Sequence, residues 1–326
     1  MTKSKSAKPK ATGKNRKRRF GNRFEIPLNV DQLEVSFGDR HVRLTNLNKL
    51  FWPELKITKR DLLQYYADVS PVLLPHIRDR AMVMKRYPNG AAGEFFFMKR
   101  APSPRPEWIE ICRIQHGSKM VDFPMVQDLA SLLWVINLGC IDLNQWYATC
   151  DDVERPDYVH FDLDPGSATF ERVLETALVV RDALESLKMR PLVKTTGSKG
   201  LHVYVPIVRG PHQKDVWTFA KALALELASR HRELMTAEYR VASRPAGRVL
   251  VDYNQNRWGS TLASIYSVRP RSDAAVSTPI TWREVERGVR IEDFTLRNVP
   301  ARINRVGDLW KPLLQRRGRT DLSTFT

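Results

Sequence analysis

The segment DYVHFDLDPG, residues 157–166, places two carboxylates, Asp162 and Asp164, directly after an apolar run and directly before a Pro-Gly pair. Because side chains alternate faces along a β-strand, the two acids point to one side while Leu163 faces the core. The Pro-Gly pair ends the strand and leaves both acids at its exposed edge. Such a pair is also typical of ordinary turn or cap residues, so a second signal is needed.

A third acid supplies that signal, because Asp252 in RVLVDYNQN also ends an apolar run that predicts a strand. A lone aspartate in this position is often structural. Three together suit a site for two divalent ions, which lie about 3.5–4 Å apart in phosphoryl-transfer enzymes. Carboxylate oxygens select hard cations, so Mg²⁺ or Mn²⁺ is expected.

The histidines and cysteines show no spacing that would predict a transition-metal site. The seven histidines include no H-x-x-x-H pair. Cys112, Cys140 and Cys150 are odd in number and show no C-x-x-C pairing, which predicts neither a disulfide framework nor a zinc site. We expect three free thiols that pack as small apolar residues.

A glycine loop, residues 195–200 (TTGSKG), precedes the apolar run LHVYV. Its two glycines would let the backbone approach a polyanion, and Ser198, Lys199 and His202 would be donors. The spacing is not that of a Walker A sequence. The alternative is a simple glycine hairpin with an exposed lysine.

Further cations and aromatic rings accompany these motifs. Arg269 and Arg271, in YSVRPR, carry guanidinium groups suited to phosphate oxygens, or are ordinary surface residues. The rings of residues 95–97 stand beside Lys99 and Arg100 and are suited to stacking on bases, although at least one of them is expected in the core.

The net charge of +17 and a pI near 10 indicate a polyanionic partner. Residues 1–19 hold nine lysines or arginines and no acid, so we expect residues 1–21 to be a disordered basic tail and residues 22–326 to be the catalytic domain. No apolar run approaches the roughly 18 residues of a membrane span. There is no secretory signal, so a cytoplasmic protein without membrane contact is expected.

The apolar periodicity predicts a mixed α/β or α+β fold, because strands and helices interleave without strict βαβ alternation. It predicts a hairpin over 33–44, a short strand within 86–107, and strands on both sides of the glycine loop and before Asp252. Helices are predicted over about 58–76, 126–138 and 213–231, with the clearest one starting near Phe170.

Six segments, in this order between about Val42 and Trp310, together resemble the polymerase domain of bacterial DNA ligase D, in the archaeo-eukaryotic primase superfamily. They are LTNLNKLFWP, RYPNG…FFFMK, HFDLDPG, TTGSKGLHVYVP, VLVDYNQN and YSVRPR. The resemblance implies a primase-like catalytic core with central mixed and antiparallel sheets flanked by helices.

The resemblance also implies roles for individual residues. Two metal ions, with Mn²⁺ typically favoured, would be held by Asp162, Asp164 and Asp252. The incoming nucleotide would be bound by Lys85, Arg86, Thr196, Ser198, Lys199, His202, Gln255 and Arg269. DNA would be contacted by Lys49, Lys59, Phe96, Phe97, Arg244 and Arg271. Within that last group, the two lysines would grip a 5′ phosphate and the two phenylalanines would stack on the templating base.

Two residues depart from the family pattern. Thr196 stands where a serine is frequent, a change that keeps the hydroxyl group. Asn144, in DLNQW, stands where many members have a histidine in E-L-H-P-W, so a phosphate-binding role at this position is in doubt. No ligase or nuclease motif follows residue 310, which favours a freestanding polymerase.

The expected function is template-directed extension of DNA ends or filling of short gaps from nucleoside triphosphates, with a preference for ribonucleotides, in non-homologous end joining. Ku and a separately encoded ligase are the implied partners, at the bacterial nucleoid. The alternatives are a primase-polymerase of gap-filling excision repair, a non-catalytic protein that binds DNA ends, and a two-metal nuclease.

Overall fold

The computed structural model describes residues 23–325; the predicted basic tail, residues 1–21, lies outside them. In chain order the strands of the first half are β1 (Leu33–Phe37), β2 (Arg40–Leu44), β3 (Leu50–Trp52), β4 (Ile57–Thr58), β5 (Met82–Arg86), β6 (Phe96–Met98), β7 (Ile111–His116), β8 (Lys119–Pro124) and β9 (Cys140–Trp146). Those of the second half are β10 (Tyr158–Asp164), β11 (Leu192–Thr195), β12 (Leu201–Pro206), β13 (Met235–Thr236), β14 (Val249–Asp252), β15 (Thr261–Ala263) and β16 (Pro279–Ile280). The α-helices are α1 (Lys59–Ile77), α2 (Leu129–Asn137), α3 (Phe170–Ser186), α4 (Gln213–Arg230), α5 (Trp282–Glu286), α6 (Val299–Val306) and α7 (Lys311–Leu314).

A six-stranded sheet carries the predicted acids. Its strand order is β13-β14-β10-β12-β11-β16, with β13 and β14 parallel and every other pair antiparallel. The helices α3 and α4 pack on this sheet through β10, β12 and β14. Because both faces of β10 are covered along most of its length, its sequence is mainly apolar, apart from buried His160, until the acids near its end.

A four-stranded antiparallel sheet, in the order β15-β9-β5-β6, forms the second half of the core. Its strand β9 is buried at every position although it contains an aspartate, an asparagine and a glutamine. Buried polar side chains need partners inside the protein, so β9 is constrained by its contacts as well as by its apolar residues. The pairs β1–β2, β3–β4 and β7–β8 form separate two-stranded sheets.

Helix α1 confirms the predicted helix and its capping box. Thr58 accepts a hydrogen bond from the backbone N–H of Asp61, and the Asp61 side chain accepts one from the backbone N–H of Thr58 (2.7 Å). Its buried side packs on α2. The helices predicted over 126–138, from Phe170 and over 213–231 correspond to α2, α3 and α4, and the mixed α/β fold is confirmed.

The prediction of three free thiols was wrong. A disulfide joins Cys112 on β7 to Cys150 in the loop after β9, and Cys140 is free and buried. The two half-cystines are 38 residues apart and meet only because the β7–β8 hairpin folds against that loop. The spacing of the cysteines in the sequence does not predict this pairing.

A contiguous set of buried apolar side chains extends along the chain from Ile26 to Leu322. In the part of the chain that the structure describes, no helix has both the length and the apolar character needed to cross a bilayer.

Candidate active site

The three predicted acids lie on two neighbouring strands of the six-stranded sheet. Asp162 and Asp164 are on β10, and Asp252 is the last residue of β14. The antiparallel register sets Asp162 directly opposite Asp252. Side chains at opposed positions share one face, with Cβ atoms about 4.5–5.5 Å apart. Asp164 lies on the same face, two residues further along β10.

Burial and mutual repulsion disfavour the charged forms of two of these acids. Burial, followed by the charge of Asp164, raises the pKa of Asp162 to about 7. Burial and then Asp162 raise the pKa of Asp252, against hydrogen bonds from Gln255 Nε2 (3.0 Å) and from the backbone N–H of Asn254 (2.8 Å). A divalent cation between the two acids would relieve both effects, so this pair fits an oxygen-ligated metal.

Asp164 has different partners. Its Oδ2 is 3.4 Å from Nη1 of Arg244, and its Oδ1 accepts a hydrogen bond from the backbone N–H of Gly166 (3.1 Å). Within residues 23–325, no three side chains of the types His, Cys, Asp and Glu are grouped in a metal-binding arrangement. For all three acids to share metal ions, Asp164 would have to give up its contact with Arg244 and bind a metal ion instead.

Asp162 and Asp164 line a cavity of about 280 Å³. The predicted nucleotide-binding residues on its wall are Thr196, Ser198, Lys199, His202, Gln255 and Arg269. One cleft thus combines carboxylates with hydroxyl groups and cations, as a site for a metal-bound polyphosphate requires. Asn144 lines the same cavity from β9.

The side chain of Thr196 organises the backbone of the glycine loop. The hydroxyl oxygen of Thr196 accepts hydrogen bonds from the backbone N–H groups of residues 198, 199 and 200, at 3.1–3.2 Å. A Cβ atom on Gly200 would lie 2.0 Å from the carbonyl oxygen of Leu163. Gly200 thus lets the loop pack closely on β10, and the approach of the loop backbone to a polyanion stays a prediction.

Two basic side chains lie behind this loop. His202 is buried, with Nε2 3.3 Å from Oδ1 of Asp162. Burial, and then the charges of Lys194 and Arg269, lower the pKa of His202, which keeps the imidazole neutral. Lys194 is fully buried and donates to Ser277 Oγ (2.5 Å) and to the carbonyl oxygen of Ala263 (3.0 Å).

The two predicted arginines have different surroundings. Arg269 reaches the cavity, with Nη1 donating to the carbonyl oxygen of Thr196 (3.3 Å). Arg271 does not line the cavity. Its guanidinium pairs with Asp273 and Glu292 (both 2.8 Å) and also donates to the carbonyl oxygen of Ser198. Arg271 therefore contacts the backbone of the glycine loop, and its positive charge is balanced by Asp273 and Glu292.

Lys85 and Arg86, predicted to bind the nucleotide, do not line the cavity and instead face the predicted template-stacking residues on the β5–β6 pair. Lys85 is opposite Phe97, and Arg86 is opposite Phe96. Both phenylalanine rings are exposed. The ammonium of Lys85 lies 3.9 Å from the ring centroid of Phe95, and the guanidinium of Arg86 lies 5.1 Å from that of Phe96. Exposed rings beside cations are the usual surface for unpaired bases.

The two lysines predicted to bind a 5′ phosphate are neighbours of unequal exposure. Lys49 is exposed, and its Nζ donates to the carbonyl oxygen of Pro88 (2.8 Å). Lys59 is 5% exposed, and its Nζ donates to the carbonyl oxygen of Thr45 (2.8 Å). Burial, and then the charge of Lys49, lower the pKa of Lys59 to about 8.

Sequence reasoning missed Lys194 and Asp142. Lys194 is opposite His202 in the β11–β12 register, so the row Lys194, His202, Asp162 and Asp252 runs across four adjacent strands on one face. Which residues of β11 and β12 share a face depends on the register across the loop, which pairs Thr195 with Leu201, so the alternation of β11 alone did not single out Lys194. Asp142, on β9, gave no comparable signal.

Comparisons with known proteins identify the family of the chain. Residues 58–310 match the family described as LigD, primase-polymerase domain. The chain is 34% identical over 275 residues to the multifunctional non-homologous end joining protein LigD of Mycolicibacterium smegmatis, covering 83% of this chain and 36% of that protein. It is 31% identical over 287 residues to the corresponding LigD of Mycobacterium tuberculosis, covering 85% and 38%. The chain thus spans well under half the length of these relatives.

A solved structure gives the same result for the fold. The polymerase domain from Mycobacterium tuberculosis ligase D in complex with DNA superposes with a TM-score of 0.79 at 30% identity, covering 85% of this chain and 99% of that domain. Sequence and structure therefore agree over the core that holds the acids, and the chain belongs to the LigD primase-polymerase domain family of nucleotidyltransferases.

Proposed function

We propose that this protein is a template-directed polymerase that extends DNA ends or fills short gaps during non-homologous end joining, with a preference for ribonucleotides. The observation that carries the proposal is the joint lining of one cavity by the acids of β10 and the donors of the glycine loop. The related proteins named for end joining, and the similar domain described in complex with DNA, support it.

The acids Asp162, Asp164 and Asp252 are the proposed ligands of two divalent ions, Mn²⁺ or Mg²⁺. Such ions lower the pKa of an attacking hydroxyl and neutralise charge on a triphosphate. Gln255 holds the Asp252 carboxylate through its hydrogen bond to Oδ2. Neutral His202 lies against Asp162 without adding a charge that would compete with a cation.

The substrate-binding roles follow from exposure and charge. Ser198, Lys199 and Arg269 are the proposed contacts of the nucleotide phosphates, because they present a hydroxyl and two cations to the cavity. Phe96 and Phe97 are the proposed stacking surface for a template base. End joining in a bacterial cytoplasm would make Ku and a DNA ligase the partner proteins.

Primer extension on a gapped duplex with Mn²⁺ tests the proposal. The unmodified protein should add nucleotides opposite the template, whereas Asp162→Ala and Asp164→Ala should not. Asp182→Ala, which removes an acid from the exposed side of α3, is the matched control and should extend normally. Equal extension by all four proteins would contradict the assignment.

The same assay separates the alternatives. DNA binding without extension would indicate an end-binding protein. Shortening of the primer without added nucleotide would indicate a nuclease. Efficient synthesis from an initiating dinucleotide without primer would favour the primase-polymerase role in gap-filling repair. Competition between ribonucleotides and deoxyribonucleotides measures the proposed sugar preference.

A further inference from the structure

A buried carboxylate that the proposed reaction does not use lies beside the cavity. Asp142, on β9, has a side chain only 2% exposed. Its Oδ1 accepts a hydrogen bond from Ser267 Oγ (3.3 Å). A buried carboxylate is strongly unfavourable unless cations and donors compensate its charge, so the groups around Asp142 indicate what it does.

Two cations lie close to Asp142. Oδ2 is 3.4 Å from Nε of Arg269. Lys85 is directly opposite on β5, so the two side chains share one face of the four-stranded sheet. Burial, against the charge of Asp142, lowers the pKa of Lys85, and the charge of Arg269 lowers it further. Asp142 is therefore the shared anion of two cations that would otherwise repel one another.

The contact with Arg269 is an ion pair that leaves the arginine's donors largely unused. Nε of Arg269 has no acceptor in hydrogen-bond geometry, although Oδ2 of Asp142 is near it. Nη1 donates to the carbonyl oxygen of Thr196. A Cβ atom on Gly197 would lie 2.7 Å from Cγ of Arg269, so the glycine loop packs tightly against this side chain. Asp142 from one sheet and the loop from the other thus fix the guanidinium on the cavity wall.

We infer that Asp142 is a positioning residue for the nucleotide triphosphate, acting through Arg269. This inference rests on the proposed function, because it takes the cavity to bind the triphosphate. When asparagine replaces Asp142, the repulsion between Lys85 and Arg269 is no longer balanced, and Arg269 leaves the wall position. The triphosphate then loses a prepositioned cation while the acids on β10 and β14 are unchanged.

Asp142→Asn tests the inference, because asparagine keeps the shape and the contact with Ser267 but removes the charge. In steady-state primer extension we expect KM for the nucleotide to rise about tenfold, the equivalent of about 1.4 kcal/mol, with kcat within about twofold. If Asp142 acted only through the overall charge of the site, the change in KM would have the opposite sign. Removing this acid would make the site more attractive to the triphosphate, and KM would fall. An unchanged or lowered KM overturns the inference.

A double-variant comparison tests the route through Arg269. Arg269→Gln should raise KM, and adding Asp142→Asn to it should raise KM no further. An additional rise overturns the inference. The double variant removes both charges of the pair, so it is expected to fold even where Asp142→Asn alone does not.

A half-buried acid elsewhere gives the control. Asp157 directly precedes β10, at the end of the strand away from Asp162 and Asp164, and is paired with Arg80 and Arg319. Asp157→Asn should lower Tm and leave KM for the nucleotide unchanged, which separates stability from positioning. If the unmodified protein neither binds nor incorporates nucleotide, the proposed function fails. If the unmodified protein binds and incorporates nucleotide and Asp142→Asn has the same KM, only this inference fails.

Discussion

At the scale of the residue, Asp162 combines the proposed catalytic role with a cost in stability. Its carboxyl is raised in pKa to about 7 by burial and by Asp164. A raised pKa in the folded state favours folding while the group is protonated, and that advantage is lost as the pH rises from about 4 through about 7. Above pH 7 the folded protein therefore holds a poorly solvated charge.

Asp162→Asn should lower primer extension by on the order of 1000-fold or more and raise Tm at pH 8. The gain in Tm should shrink at pH 5, where Asp162 is already protonated in the folded protein. Thermal unfolding of both proteins at the two pH values, without divalent ions, measures this. A variant less stable than the original at pH 8 would contradict the sign.

The lowered pKa of Lys59 predicts that binding of a 5′ phosphate depends on pH. Because its pKa is lowered to about 8, the ammonium is the main form at pH 7 and the neutral amine is the main form at pH 9. The affinity advantage of a 5′-phosphorylated gap over a 5′-hydroxyl gap should therefore fall between these pH values.

Fluorescence anisotropy with the two gapped duplexes measures that advantage. In Lys59→Met the advantage should be small and should vary little with pH, because exposed Lys49 is the remaining lysine of the pair. A constant advantage in the unmodified protein from pH 7 to 9 would exclude Lys59 as the titrating contact.

At the scale of the element, the glycine loop depends on one close approach. In Gly200→Ala the added Cβ would meet the carbonyl oxygen of Leu163 at 2.0 Å, so β12 must move away from β10. We expect a loss of about 1–3 kcal/mol in the free energy of unfolding, measured by urea denaturation. Gly210→Ala is the matched control, since nothing lies within 4 Å of its Cβ position, and it should cause little change. Equal stability of the two variants would contradict this reading of the loop.

The elements were predictable where one residue pattern decides the structure. The capping box at Thr58 and the apolar period after Phe170 gave α1 and α3, and D-x-D alternation gave the common face of Asp162 and Asp164. Strand β9 was not predicted, because burial on both sides removes the alternation that marks a strand. The placement of Asp142 beside Arg269 depends on two sheets meeting, which no local pattern records.

At the scale of the whole molecule, the disulfide closes a long segment. Linking Cys112 and Cys150 across 38 residues should stabilise the fold by about 4 kcal/mol on the chain-entropy account. Urea denaturation with and without reductant measures this difference. Cys112→Ser/Cys150→Ser should match the reduced protein, and a reductant without effect would contradict the linkage.

The pairing of Asp162 with Asp252 across β10 and β14 also has a consequence for the synthesis of the protein. The two residues are ninety positions apart in the chain, and of the three strands between them in sequence, β12 pairs with β10 on its other edge. A ribosome therefore releases the first two acids long before their partner exists. A nascent chain that has not yet reached residue 252 lacks one of the proposed metal ligands, so competence for nucleotide transfer should arise only after β14 is made and pairs with β10.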